Sequence, residues 1–454
     1  MRSRGGSPRQ NGYSTVLFRL QGNPGGTIMK SIDDFSRPEE YISAMDKHFR
    51  SAVRAWVDKE VMPHRRAFDE DWKEHALIEP AFDALMANKG LGIQKALFPA
   101  DLGGWGLGQS DYAFTIACTL AEEVGRADTA MAVAFMVTYW PLTTILVEPH
   151  VNRRLAAQFA PMFCNSDKAV FAALAMTEPQ GGADIENMEL LGGKTIKTTA
   201  RLDGDEWVIN GHKLWPTNTA GVGQLFGVPC TTRLGSTDPD DFALIFVPAD
   251  VKGVTQGGPY EKAGMAADKN GDLWFEDVRV PAWYRAHGPG KDAQVFKEII
   301  PWGLVGSMGF LVGAMMNLYE VLYEFVSTRT YGNRPLKEND AIAGLIGRIA
   351  GDIEVCRILA YEGARIGDRR NRPYGHPLYS EEVLAKLRNL KDFVCDRAVE
   401  NFGRAMDVLG VYGPDRQYDI EKHWRDIKII QLWMGGKQLC QMEAARYFYN
   451  CKTL

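Results

Sequence analysis

From residue 36 to about 153, apolar residues return every three or four positions, as in Tyr41, Met45, Phe49, Val53, Trp56 and Val57. That spacing lays one face of a helix along a core and predicts a helical domain. Residues 101–108 interrupt it, because glycine at 103, 104, 106 and 108 cannot hold a helix together, and the stretch reads as a surface loop. Beyond Ala169 the pattern becomes short apolar runs punctuated by Gly, Pro and Asp, with strands predicted over 224–232, 242–247 and 273–281. Val208 and Ile209 before Asn210-Gly211, with Leu214 and Trp215 after, predict a hairpin turning at Asn210-Gly211, since both residues accept the positive φ of a type I′ turn. After Asp292 the helical period returns over 294–328, 341–368, 380–408 and 419–449, the pattern of a bundle.

The fold class is therefore α+β: a flexible tail over 1–35, a helical domain over 36–171, an antiparallel β domain over 172–290 and a helical bundle over 291–454. Gly303, Gly306, Gly309 and Gly313 recur on one face of the first bundle helix, where each costs about 1 kcal/mol relative to alanine. Close packing of a neighbouring helix is the expected return.

Composition narrows the partners. With 45% hydrophobic and 24% charged residues the 454-residue chain buries a large core. A net charge of -5 gives no case for nucleic acid or an anionic membrane and favours small ligands. No membrane span is expected from the apolar runs, which fall short of the roughly 18 residues needed. Seven cysteines and eight histidines are scattered without ligand spacing, so neither a disulfide framework nor a metal site is expected, and a reducing cytoplasmic setting is.

Five motifs stand in a fixed order: TEPxxGxD at 177–184, NGxKxWxTN at 210–218, FEDVRVP at 275–281, RxYG at 329–332, and LGxxG at 409–413 ahead of RDxKIIQ at 425–431. Together they resemble the acyl-CoA dehydrogenase superfamily over everything but the tail. The resemblance implies a middle β-barrel between helical domains, a four-helix carboxy-terminal bundle, bound FAD, an acyl-CoA substrate, an electron-transfer flavoprotein as electron acceptor, and assembly as a homotetramer or with a paralogue. It implies Met176 and Thr177 beside the flavin ring, Trp215 and Thr217 covering it, Arg329 and Tyr331 at the FAD of a neighbouring subunit, and Asp407 and Gly410 at FAD-binding positions. Ala183 and Gly435 fall at substrate-binding positions.

The family reaction removes a proton from the α-carbon of a thioester while a hydride leaves the β-carbon, which calls for a carboxylate base and for donors at the thioester oxygen. The usual base is a glutamate just after the RDxKIxQ run. Here the same register reads Trp433-Met434-Gly435-Gly436, and a thioether cannot take a proton; only the backbone N–H of Met434 remains for the thioester. The alternative position on the first bundle helix falls at Ile299 and Ile300, with Glu298 one residue away as a candidate relocated base. Ala183 for the usual Ser, Asp407 for Gln, Val411 for Gly and an insertion over 190–198 are further departures.

Three activities follow: dehydrogenation of a non-standard, cyclic or functionalised acyl-CoA with the base elsewhere; flavin chemistry without α-proton abstraction, as in an acyl-CoA desulfinase or a flavin monooxygenase; or a non-catalytic subunit that stabilises an active paralogue.

Overall fold

The structure is a computed structural model and describes residues 31–38, 42–182, 185, 195–368 and 377–452. Residues 1–30, Ala183 and Asp184, and 190–194 of the insertion lie outside the described residues. Residues 31–35, read as the end of a tail, are built into the protein. Ser31 caps a turn of 3-10 helix, Ile32–Asp34; Asp33 pairs with Arg50 (2.6 Å) and Arg54 (2.8 Å); and Arg357 donates to the carbonyls of Ile32 (3.0 Å) and Phe35 (2.7 Å).

The amino-terminal domain comprises α1 (Ala44–Trp56), α2 (Arg65–Glu70), α3 (Ile78–Met86), α4 (Ala113–Ala127), α5 (Thr129–Leu146) and α6 (Arg153–Cys164). Ser43 and Asp128 cap α1 and α5 by accepting the N–H groups of Asp46 and Met131. Every residue of α5 except Trp140 is buried, so α5 is a central strut with no solvent face.

The middle domain is a seven-stranded half-barrel: β1 (Phe171–Leu174), β2 (Thr199–Asp203), β3 (Glu206–Lys213), β4 (Gly223–Thr231), β5 (Phe242–Pro248), β6 (Val254–Gln256) and β7 (Leu273–Pro281). The order is β1-β4-β2-β3-β7-β6, with β5 on β4. Most pairings are antiparallel, but β1 runs parallel to β4. The predicted turn at Asn210-Gly211 is not there. Both residues lie inside β3, and the β2–β3 hairpin turns at Gly204 (φ 65°), where Asp203 pairs with Glu206. Gly211 is needed for room: a Cβ there would stand 2.4 Å from Thr198 Oγ1. Asn210 uses its side chain across the sheet, accepting the Asp277 N–H (2.9 Å) where β3 and β7 shift register.

The carboxy-terminal unit holds α7 (Lys291–Thr328), a small hairpin of β8 (Thr330–Tyr331) and β9 (Arg334–Pro335), α8 (Asp340–Asp368), α9 (Glu381–Leu409), α10 (Ile420–Leu432) and α11 (Gly436–Tyr449). The single last helix expected over 419–449 is thus two helices, broken at residues 433–435. The glycine face of α7 packs as expected, largely on α4: a Cβ at Gly309 would meet Ala121 Cβ at 2.7 Å, and one at Gly313 would meet the Glu122 carbonyl oxygen at 2.1 Å. By length and hydropathy α5 and α7 could each cross a membrane, contrary to the reading of the apolar runs. Their apolar windows are 94% and 100% buried inside the protein, which identifies them as core helices.

Candidate active site

Where α10 ends, Trp433-Met434-Gly435-Gly436 closes a type I′ turn. The Gly436 N–H donates to the Trp433 carbonyl (2.9 Å), and Met434 and Gly435 take φ of 54° and 75°. For glycine this conformation is free, whereas a methionine pays about 1–2 kcal/mol, which neighbours must enforce. Two buried cations on α9 do so. Lys391 Nζ donates to the Trp433 carbonyl (3.0 Å) and Arg388 Nη1 to the Met434 carbonyl (2.9 Å), and each residue is 1% exposed. Arg388 Nε also pairs with Glu443 of α11 at 2.5 Å. The Met434 side chain lies against Gly303 of α7 and Trp140 of α5: a Cβ on Gly303 would stand 2.6 Å from both Met434 Sδ and Trp140 Cζ2. The Trp140 and Trp433 rings are 5.9 Å apart. Among the described residues the N–H groups of Met434 and Gly435 meet no hydrogen-bond partner.

A second group forms where β1 leads into the TEP turn. Glu178, buried, accepts from Lys213 Nζ (2.8 Å), the Thr198 hydroxyl (2.7 Å) and the N–H groups of Lys197 (2.7 Å) and Thr198 (3.0 Å). Burial opposes its charge, yet Lys213 and these donors outweigh burial and hold its pKa below the ordinary carboxylate value. Lys213 also donates to the Met176 carbonyl (3.4 Å), so this ion pair fixes the backbone that carries Met176 and Thr177. The Thr177 carbonyl accepts the Leu214 N–H (2.9 Å), which brings Thr177 beside Trp215 and Thr217.

Thr177 keeps its own N–H and hydroxyl without partners among the described residues. Trp215, at φ 65° and 44% exposed, stacks on Tyr260 at 4.0 Å, and its carbonyl is held by Asn270 Nδ2 (2.9 Å). The Thr217 hydroxyl sits 3.3 Å from both Asp268 Oδ2 and Asn270 Nδ2. Burial pushes the Asp268 carboxyl above its usual range. An exposed indole face beside an unpaired amide and hydroxyl suits a flat heteroaromatic ring with a hydrogen-bonding edge, so these residues fit a flavin.

Helix α5 joins the two groups. Asn218, next to Thr217, donates to the Ala134 carbonyl (2.8 Å). Gly227 of β4, which accepts the Ala175 N–H (2.9 Å), lies against Pro141, where an added Cβ would stand 2.7 Å from the proline Cβ. The next residue back, Trp140, lies with Met434 against Gly303.

The remaining predicted residues stand elsewhere. Arg329, at the end of α7, lies over the Tyr412 ring at 5.7 Å, near Gly410 (φ 61°), which ends α9 one turn after Asp407. Tyr331 is exposed on the β8–β9 hairpin. Arg329 is roughly 39 Å along α7 from Gly303 at 1.5 Å per residue, so one chain does not bring this group to Thr177 and Met434. Glu298 does not face Met434 either. It is five residues, roughly 140° around the helix, from Gly303, and its carboxylate bonds His150 Nε2 at 3.0 Å. Ala183 lies outside the described residues. Sequence reasoning missed Trp140, Asp268, Asn270, Arg388 and Lys391; the last two left a signal, as cations on the otherwise apolar face formed by Leu384, Leu387, Val394 and Cys395.

A helical domain, a half-barrel and a bundle meeting at a flavin-suited site define a class of flavin-dependent oxidoreductase. Family models for the acyl-CoA dehydrogenase amino-terminal, middle and carboxy-terminal domains match residues 43–151, 173–278 and 294–446 in that order, and the chain belongs to the acyl-CoA dehydrogenase family, whose cofactor is FAD. It is 25% identical to the probable acyl-CoA dehydrogenase YngJ of Bacillus subtilis over 87% of this chain and 96% of that one. It is 26% identical to the mitochondrial short-chain specific acyl-CoA dehydrogenase of Bos taurus over 87% and 88%. The fold matches butyryl-CoA dehydrogenase from Megasphaera elsdenii with a TM-score of 0.76 at 20% identity, covering 90% and 98% of the two chains.

Proposed function

We propose that this protein dehydrogenates an acyl-CoA thioester between its α and β carbons, with a proton acceptor other than residue 434. The observation that carries the reading is the turn at 433–436, which offers an unpaired N–H of Met434 at the place of the usual base while its side chain is a thioether.

In this reading Thr177 and Met176 meet the edge of the flavin, Trp215 and Thr217 cover one face, and Met434, Gly435 and Ala183 border the acyl thioester. Arg329, at the far end of α7 from Gly303, with Tyr331, Asp407 and Gly410, reaches the FAD of a neighbouring copy, where a guanidinium suits a pyrophosphate. The outward face of α8, with Val355 and Ile358 exposed, supports assembly into a tetramer or with a paralogue. FAD supplies the hydride acceptor, and an electron-transfer flavoprotein takes the electrons onward.

The chain's own part is to bind the thioester, orient its carbonyl on the Met434 N–H and exclude water with Trp140, Trp433 and Met434. The neighbouring carboxylates are committed, Glu298 to His150 and Glu443 to Arg388. A substrate therefore has to bring its own acidity, through a second electron-withdrawing group or unsaturation next to the α-carbon, which is the chemistry of a functionalised or cyclic acyl group.

Anaerobic mixing of the holoenzyme with a panel of acyl-CoAs tests this: activated thioesters bleach the flavin and simple straight-chain ones do not. Glu298→Gln leaves the bleaching rate unchanged, far from the roughly 10²–10⁴-fold loss that removing a general base causes. FAD that stays oxidised with every thioester would transfer the assignment to desulfinase- or monooxygenase-type chemistry. A chain that binds no flavin alone would transfer it to the partner-subunit role. That other substrates suit this fold is illustrated by a nitroalkane oxidase crystallized with 1-nitrooctane, matched with a TM-score of 0.76 at 20% identity.

A further inference from the structure

A cleft of about 240 Å³ opens between α3 and the half-barrel and shares no lining residue with the turn at 433–436. Its walls are apolar where Phe82, Phe171, Val222 and Ala267 meet, the Phe82 and Phe171 rings packing edge to face at 5.0 Å. Lys269 lines it too and is 8% exposed. Its ammonium donates to the Glu74 carbonyl at 3.3 Å and has no ion pair among the described residues.

The other charged groups around the cleft are committed or solvated. Lys168 pairs with Asp83 (2.6 Å), which also accepts the Ala169 N–H (2.8 Å). Asp71 accepts the N–H groups of Leu77 (2.7 Å) and Ile78 (3.2 Å) at the start of α3, and Glu74 and Glu79 are exposed. His75 donates its Nε2–H to the Ala266 carbonyl (3.0 Å), and burial lowers its pKa to about 4, so it adds no charge at neutral pH. Burial likewise holds Lys269 below the ordinary lysine value, and Glu79, Glu74 and Asp71 offset this only in part. A nearly buried ammonium with one long bond to a carbonyl is short of counter-charge.

We propose that this cleft binds a small organic carboxylate, with its anionic head on the Lys269 ammonium and its apolar body against Phe82, Phe171 and Val222, and that the bound acid acts on the turn covering the flavin. A carboxylate supplies the charge-assisted bond that Lys269 lacks. The volume falls below the roughly 300–1,000 Å³ of pockets for drug-sized ligands, which limits the occupant to a compact acid.

The link to the flavin side runs through neighbours of Lys269 in the chain. Asp268 and Asn270 each stand 3.3 Å from the Thr217 hydroxyl, and Asn270 holds the Trp215 carbonyl (2.9 Å). The Lys269 carbonyl accepts the Thr219 N–H (3.1 Å), and Asn218, which lines the cleft, follows Thr217 directly. An anion that draws on the Lys269 side chain therefore loads the same short segment that fixes Trp215 and Thr217. The site goes beyond the acyl-thioester reading and does not depend on it.

Isothermal titration calorimetry of the flavin-loaded protein with benzoate, and with acetate for comparison, tests this. One benzoate binds per chain, more tightly than acetate, and the flavin absorption band shifts along the same titration. Lys269→Met weakens benzoate binding by about tenfold or more, the worth of a hydrogen bond to a charged group. Glu79→Gln, which removes a competing carboxylate, strengthens it. Val222→Trp fills the cleft without touching the ammonium and abolishes binding, and it decides the matter if Lys269→Met does not fold.

A wild type that binds neither acid, or benzoate binding that Lys269→Met and Val222→Trp leave unchanged, overturns the site. Equal affinity for the two acids overturns the role of the apolar wall, and binding that leaves the flavin band unmoved overturns the coupling to the turn.

Discussion

Lys422→Met is the sharpest probe of how α10, the helix that leads into the turn, is held. Lys422, 1% exposed, lies between Asp128 Oδ2 (2.7 Å) and Asp426 Oδ2 (2.6 Å). Asp128 caps α5, and Asp426 also accepts the Met265 N–H (2.6 Å) from the β domain, so one ammonium ties α10 to both other units. Burial opposes the charge on Lys422, but the two carboxylates outweigh burial and hold its pKa above the ordinary lysine value, while burial pushes Asp426 above the usual carboxylate range.

Methionine keeps the length and leaves two buried carboxylates without a counter-charge, which costs about 3–5 kcal/mol. With an unfolding entropy of roughly 2.1 cal/mol/K per residue, this lowers Tm by about 3–5 °C if the chain melts as one unit, and by two to three times as much if the bundle melts alone. In the variant Asp426, already pushed up by burial, loses the ammonium that opposed that rise, so its folded pKa lies above the unfolded value near 3.9. Such groups favour folding below the unfolded pKa and lose that contribution as pH rises through the folded one. The deficit is therefore largest at pH 8 and shrinks toward pH 5. Melting followed by circular dichroism at both pH values checks it; a variant that melts like the wild type at pH 8, or whose deficit grows on acidification, refutes the reasoning.

Two further outcomes are expected. Met434→Glu does not give efficient oxidation of butyryl- or octanoyl-CoA, because the new carboxylate is desolvated against Gly303 and Trp140 and Ile299 and Ile300 are unchanged; a gain of about 10²–10⁴-fold in flavin reduction, the worth of a well-placed base, contradicts this. His75, 3% exposed and bonded to the Ala266 carbonyl (3.0 Å), has its pKa lowered to about 4 by burial. A depressed histidine leaves stability intact above its unfolded pKa and drains it as pH falls toward the folded one, so the wild type loses about 3 kcal/mol between pH 6.5 and 4 from this group. His75→Asn, compatible with the positive φ of 60° at that position, flattens the pH dependence of Tm over that range, and an unflattened profile contradicts the assignment.

The helices were legible because their faces are apolar at helical period, and α7, α8 and α9 lie close to where that period sets them. The hairpin was misplaced because Asn210-Gly211 carries the composition of a turn for two other reasons, a side chain reaching Asp277 and a glycine making room for Thr198. The break in the last helix was written in Gly435-Gly436, but periodicity on both sides masked it. Of the candidate site, the residues embedded in motifs, Thr177, Trp215 and Met434, are the ones the sequence singles out. Arg388 and Lys391 stand out in the sequence only as cations on an apolar helix face; that they face backbone carbonyls is set by the fold. Glu298 was drawn in by proximity in sequence; the rotation of a helix by roughly 100° per residue turns it away.

The crossing of α4 and α7 bears on how this enzyme could be redesigned. Gly309 and Gly313 press α7 onto the backbone of α4, and Gly303 carries the same helix onto Met434 and Trp140. Any side chain introduced at Gly309 or Gly313 meets main chain that cannot step aside, so the helix is fixed in height relative to the turn it supports. In the proposed binding mode a larger acyl group therefore gains no space from α7's glycines. Space has to be carved from Trp140 and Met434, two residues that can be varied together in a small library while the scaffold beneath them stays put.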